Sequence, residues 1–105
     1  MQFARAFVHQ SEFDAEMKRV EREMVDEVVR IRYTLDYDSS DEPAVYIRIV
    51  LPDQALARDR LPNSTDRAAG RILRGVRPSE LWGVNPYYRF RSQSEQETMQ
   101  EPSWA

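Results

Sequence analysis

The densest group of carboxylates falls in one short polar stretch and consists of Asp36, Asp38, Asp41 and Glu42. Asp-x-Asp-x-Ser resembles the start of a calcium-binding loop. However, Asp41 occupies the sixth position, where glycine makes the turn, and Ile47 occupies the twelfth, where a glutamate should bind the ion. A two-metal site would need another carboxylate on the following strand, and residues 45–51 contain none. We therefore interpret this stretch as a solvated turn and predict no metal site.

Other catalytic residue sets are missing from the sequence. His9 is the single histidine and there is no cysteine, so a transition-metal site would depend on carboxylates or on symmetry. No serine stands in a Gly-x-Ser-x-Gly elbow, and the three glycines do not form a phosphate-binding loop. Lys18, the single lysine, falls on the polar side of a predicted helix, far in sequence from the carboxylates. We expect a non-catalytic protein with no catalytic residues and no cofactor.

The best functional signal combines arginine with tyrosine. A guanidinium group suits phosphate or carboxylate, and a tyrosine ring can stack on a nucleic-acid base. The predicted contacts to nucleic acid or another anion are Arg67, Arg71 and Arg74, which share one helical face, and Arg48, which shares a strand face with Arg30, Arg32 and Tyr46. The net charge of −3 argues against a nucleic-acid binder. In the alternative interpretation, the helical arginines meet an acidic first helix or face water.

The arginine strand face belongs to a hairpin predicted over residues 28–51. Apolar residues alternate along both strands, and the joining residues Asp-Ser-Ser-Asp-Glu-Pro form a loop. The register with residue numbers summing to 80 sets Arg32 opposite Arg48, an unfavourable pair of like charges. We therefore predict the register that sums to 82, with Arg32 opposite Val50.

Helices and a third strand complete the prediction. Periodicity indicates a helix from about Glu12 to Asp26 with Ser11 as N-cap, a short helical turn over 53–60, a helix over about 65–76, and a strand over 87–91. Residues 2–9 fit a helix better than a strand. The predicted fold is α+β: a small antiparallel sheet of three strands in αββαβ order, covered on one face by two helices. If residues 2–9 were a strand, the order would be the ferredoxin-like βαββαβ.

Length and charge bound the organisation of the chain. The 105 residues suit a single α+β domain over 1–92, followed by a polar tail over 93–105. Residues 61–92 carry an excess of four positive charges, whereas residues 1–27 and the tail each carry an excess of three negative charges. The tail is expected to be frayed or docked on a partner through Met99 and Trp104. No segment has the apolar length of a membrane span, and a cytoplasmic location is expected.

The function expected from these features is a small protein–protein interaction or regulatory module. It would act as a homodimer or an accessory subunit, and an antitoxin-like protein would also fit. Tyrosine, tryptophan and methionine are enriched at interfaces. The predicted interface residues are Tyr87, Tyr88, Phe90, Met99 and Trp104. The alternative is a nucleic-acid-binding protein that uses an arginine and tyrosine face; no membrane partner is expected.

Overall fold

A computed structural model describes residues 3–56 and 61–105 of the chain and confirms the α+β fold. The elements, in order, are helices α1 (Arg5–Val8) and α2 (Gln10–Glu23), strands β1 (Arg30–Tyr37) and β2 (Pro43–Leu51), a 3-10 turn (Asp53–Leu56), helices α3 (Leu61–Val76) and α4 (Pro78–Trp82), strand β3 (Asn85–Ser92), helix α5 (Gln93–Met99) and a 3-10 turn (Pro102–Trp104). The helical turn predicted over 53–60 is present over residues 53–56. Residues 57–60 lie outside the described residues.

A short helix lies near the start of the described chain. Because residues 5–8 form α1, the ferredoxin-like alternative with a strand over 2–9 is wrong. Helix α2 begins at Gln10, two residues earlier than predicted, so Ser11 lies inside the helix and does not cap it. His9 holds the N-cap position without a side-chain hydrogen bond.

The three strands form one mixed sheet in the order β1-β2-β3. Strands β1 and β2 are antiparallel, as a hairpin requires, whereas β3 runs parallel to β2. The prediction of an entirely antiparallel sheet is therefore wrong. Helix α3 carries the chain back to the end of the sheet where β2 begins, and a connection that returns in this way makes the next strand parallel.

The register of the hairpin also differs from the prediction. Arg32 pairs with Arg48, the arrangement in which the numbers sum to 80. The two guanidinium groups are satisfied by other parts of the chain. The Arg32 Nε donates to the main-chain oxygen of Ala105 at 2.8 Å, and the Arg48 Nε donates to that of Ser103 at 2.6 Å. Glu21 adds an ion pair to Arg32 at 3.3 Å. These contacts offset the repulsion between the two paired arginines.

The hydrophobic core lies between the inner face of the sheet and helices α2 and α3. The buried side chains that form it include Phe13, Met17, Val20, Ile31, Val45, Ile47, Ile49, Leu51, Ile72 and Val76. Both helices therefore cover the same side of the sheet, as predicted, which leaves the outer face for α5 and the residues after it. Within the described part of the chain, no helix is both long enough and apolar enough to cross a membrane.

Candidate functional site

The outer face of the sheet carries all five arginines of the three described strands. We define the arginine face as Arg30, Arg32, Tyr46, Arg48, Tyr87, Arg89 and Arg91. Side chains alternate between the two faces of a strand, so these residues point away from the core. The register places Arg48 between Arg32 on one neighbouring strand and Arg89 on the other. A row of three arginines thus crosses the sheet.

Residues 100–105, which we call the strap, run across the arginine face. The donors from the sheet are the Nε groups of Arg32 and Arg48, and the acceptors are the main-chain oxygens of Ala105 and Ser103. Neither bond uses a side chain of the strap. Arg32 and Arg48 therefore hold the strap by its backbone.

Arg91 anchors the strap from the side. Its guanidinium carbon lies 4.3 Å from the centre of the Trp104 ring, and its Nη2 lies 3.1 Å from the Glu101 carboxylate. Its Nη1 donates to the Gln96 side chain at 2.8 Å, and the Gln96 amide donates to the Glu101 carbonyl at 2.9 Å. Trp104 is only 5% exposed. Arg91 therefore contacts both a carboxylate and an aromatic ring, on two strap residues that are three positions apart in the sequence.

Helix α5 sets the direction in which the strap leaves β3. Ser92 ends the strand and caps the helix, accepting from the Glu95 N–H, while the Glu95 carboxylate accepts from the Ser92 N–H. This capping box fixes the start of α5. At the other end, Gln100 adopts a left-handed conformation with φ of 52°, which turns the chain back onto the sheet.

Arg48 is half-buried and has no carboxylate partner among the described residues. Within the described part of the chain, its Nη1 donates to the main-chain oxygen of Tyr46 at 3.4 Å and its Nε to that of Ser103 at 2.6 Å. Burial lowers the pKa of Arg48, because removing the guanidinium from water disfavours its charged form. Beside it, a cleft of about 330 Å³ lies between the strap and the sheet and is also lined by Tyr46, Arg89 and Glu101. This site suits an additional carboxylate.

The two tyrosines of the arginine face lie next to the hairpin turn. The rings of Tyr46 and Tyr87 stack with their centres 5.3 Å apart, and the Tyr87 hydroxyl donates to Asp38 at 2.9 Å. Asp38 also accepts from the main-chain N–H groups of Ser40 and Glu42. These bonds lower the pKa of Asp38. Its carboxylate thus ties the turn to β3, and no group of three potential metal ligands occurs among the residues that the structure describes.

The structure separates Arg48 from the helical arginines. Helix α3 lies on the inner side of the sheet, so Arg67, Arg71 and Arg74 do not share a surface with Arg48. Arg71 binds the Glu27 carboxylate at 3.0 Å and the Glu23 carbonyl at 3.1 Å. Arg67 lines a different cleft, and Arg74 is exposed. Arg71 thus contacts the end of α2, which is the acidic helix of the prediction, and Glu27 shortly after it, as the alternative interpretation proposed for the helical arginines.

The predicted interface residues are divided between three environments. Tyr88 and Phe90 point inwards and pack against the core, whereas Tyr87 and Met99 are 43% and 54% exposed. Trp104 packs on the chain's own sheet, where the prediction had left it free for a partner. The contact of Arg91 with Glu101 was not predicted from the sequence. The acidic tail following a basic strand is the signal that could have revealed it.

No protein-family model, no curated protein and no solved structure matches this chain.

Proposed function

We propose that this chain is a non-catalytic protein-interaction module whose arginine face binds an acidic segment of a partner protein. A single observation carries the proposal: an acidic peptide, the chain's own strap, already lies on this face. It is held by arginine donors to main-chain oxygens and by a buried tryptophan. The partner is a separate protein, and the chain acts as its accessory subunit.

The electrostatics of the arginine face support an acidic ligand. Arg48 is partly removed from water without a carboxylate partner among the described residues, and Arg89 beside it is exposed and forms no ion pair there. A desolvated guanidinium group is stabilised by an anion that it can bind through several hydrogen bonds. A glutamate or aspartate side chain entering the cleft between them would supply that anion.

A peptide fits this face better than a nucleic acid does. The two tyrosines stack on each other, and the hydroxyl of Tyr87 is bound to the carboxylate of Asp38, which would repel a phosphate backbone. The arginines of α3 lie across the sheet and cannot extend the basic surface. The net charge of −3 points the same way.

The test is a titration of the full-length ¹⁵N-labelled protein with a synthetic peptide of sequence Gln-Glu-Pro-Ser-Trp-Ala, followed by amide chemical shifts. We expect shifts confined to the three strands and the strap by about 1 mM peptide, where binding worth about 4 kcal/mol is half-saturated. Arg48→Met should abolish these shifts. Arg67→Met is the matched control, because Arg67 is an exposed arginine on the other side of the sheet, and it should leave them unchanged.

Two results would contradict the proposal. One is the absence of shifts at the highest peptide concentration. The other is tighter binding of oligouridylate RNA to the same residues, with an affinity that falls steeply as salt is added, which would establish the nucleic-acid alternative. A peptide with lysine in place of glutamate provides the control for charge and should bind at least tenfold more weakly, a difference of about 1.4 kcal/mol.

A further inference from the structure

We infer that the strap is an intramolecular competitor for the arginine face, and that the partner segment resembles the strap: an acidic residue followed three positions later by an aromatic anchor. This inference rests on the proposed function. It adds the sequence pattern that the arginine face recognises and the means by which the strap regulates binding. The pattern is taken from Glu101 and Trp104, the two strap side chains that Arg91 contacts.

The strap and a partner segment would compete because the strap already occupies hydrogen-bond donors of the arginine face. Each of Arg32 and Arg48 has one Nε–H, and both of these donate to the strap at 2.8 Å or less. The guanidinium of Arg91 is held between the ring of Trp104 and the carboxylate of Glu101. A partner segment bound in the same way would need the same donors and the same space. The two peptides therefore cannot occupy this face together.

The strap can leave without opening the core. The cluster of buried side chains on the inner face does not include Trp104, which is buried separately on the outer face. The remaining strap residues are exposed. At Gln100, where the strap begins, the backbone is left-handed, a conformation that an L-residue adopts only at a cost and that detachment would release.

Charge complementarity supports an acidic occupant in both states. The chain from residue 93 onwards carries three glutamates and no basic residue, whereas the face it covers carries five arginines. Of these arginines, Arg32 and Arg91 form ion pairs in the part of the chain that the structure describes, with Glu21 and Glu101. A partner with more acidic groups than the strap would replace it with a gain in electrostatic energy, because Arg48 and Arg89 would then also be neutralised.

The experiment measures fluorescence anisotropy of a dye-labelled peptide with the sequence of residues 99–105, titrated with full-length protein. Trp104→Ala removes the anchor of the strap, and Glu101→Arg reverses the charge that faces Arg91 at an exposed position. If the strap occupies the face about 90% of the time, the apparent affinity of the wild-type protein is reduced about tenfold, since only the open fraction binds. Both variants should therefore bind the labelled peptide up to tenfold more tightly than the wild-type protein does.

Each outcome decides a different point. Equal affinity of the wild-type protein and the two variants would overturn the competitor and leave the proposed function standing, whereas no binding by any of them would overturn the proposed function itself. Circular dichroism checks that Trp104→Ala is still folded. If Trp104→Ala unfolds, Glu101→Arg decides the question, because Glu101 is exposed and its replacement should not disturb the fold. A wild-type dimer that either variant converts to a monomer, measured by light scattering, would place the strap on a second copy and overturn intramolecular competition.

Discussion

Helix α3 contains two glycines in different surroundings, and replacing each with alanine tests how α2 and α3 pack. A methyl group on Gly75 would lie 2.9 Å from the Cγ2 atom of Val20, which is buried in α2. The Gly75 carbonyl also accepts from Arg19 at 2.8 Å, so the two helix backbones are held close. A methyl group on Gly70 would meet only the end of the exposed Arg74 side chain, at 3.0 Å, and that side chain can move away.

The two effects differ in sign. Alanine in a helix interior is favoured over glycine by about 1 kcal/mol, so Gly70→Ala should raise the free energy of unfolding by about that amount. Gly75 is the penultimate residue of α3, so Gly75→Ala gains less helix propensity, and it overpacks a filled contact, which costs typically about 1–3 kcal/mol. We expect a net loss of roughly 1 kcal/mol for Gly75→Ala, and a difference of about 2 kcal/mol between the variants.

Urea unfolding followed by circular dichroism measures both values. With a slope of about 1–3 kcal/mol per molar urea, the two midpoints should move in opposite directions by roughly half a molar. In a Val20→Ala background the contact is removed, and Gly75→Ala should then be stabilising, which a double-mutant cycle detects. If both glycine variants stabilise the wild-type protein equally, the close approach of α2 and α3 at Gly75 is wrong.

Three further predictions concern the strap, the core and the turn. Gln100→Gly should stabilise the fold by about 1 kcal/mol in urea unfolding, because glycine tolerates φ of 52°. Glu97→Gly, inside α5, should instead destabilise the fold, and a change of the same sign for both variants would contradict this reasoning. Tyr88→Phe should be neutral or stabilising in thermal melts, since its buried hydroxyl has no partner among the described residues and burial raises its pKa to about 12. Tyr33→Phe, by contrast, removes a hydrogen bond to a carboxylate and should cost about 1.5–3 kcal/mol. Asp38→Asn should lower the melting temperature at pH 7, and the difference should shrink as pH falls below the ordinary carboxyl value of 3.8, because the folded pKa of Asp38 is depressed; a difference independent of pH would refute this.

The inner face of the sheet could be predicted from the sequence because its signal is local. Val45, Ile47, Ile49 and Leu51 recur at every second residue, and all four are buried. The period of two depends only on the pleat of the strand and needs no knowledge of the partner. The same holds for α2, in which Phe13, Met17 and Val20 follow the helical period and are all buried. Patterns of this kind establish which side of an element faces the core.

The register of the hairpin could not be predicted in this way. The argument from like charges considered Arg32 and Arg48 only with respect to each other. The acceptors that satisfy them lie 73 and 55 residues further along the chain, in the strap. Pairing a strand correctly therefore required the position of the tail, which was expected to be frayed or docked on a partner. The parallel direction of β3 likewise depends on the route of the chain through α3 and α4, which no strand pattern contains.

The candidate site was only half predictable, for a physical reason that also supports the proposal. Arg48 and Tyr46 were recognised from the alternation of β2. The net charge of −3, however, is a sum in which the positive charges of the strand face and the negative charges of the tail cancel, so it hides both. In the fold these charges lie against each other, since Glu101 binds Arg91 and the strap covers Arg32 and Arg48. Had the strap evolved only to neutralise this face, one of its carboxylates would be expected to form an ion pair with Arg48, the most central arginine of the face, and none does so among the described residues. The strap instead offers Arg48 a neutral carbonyl, and we propose that this leaves the arginine able to bind a better acidic ligand in its place.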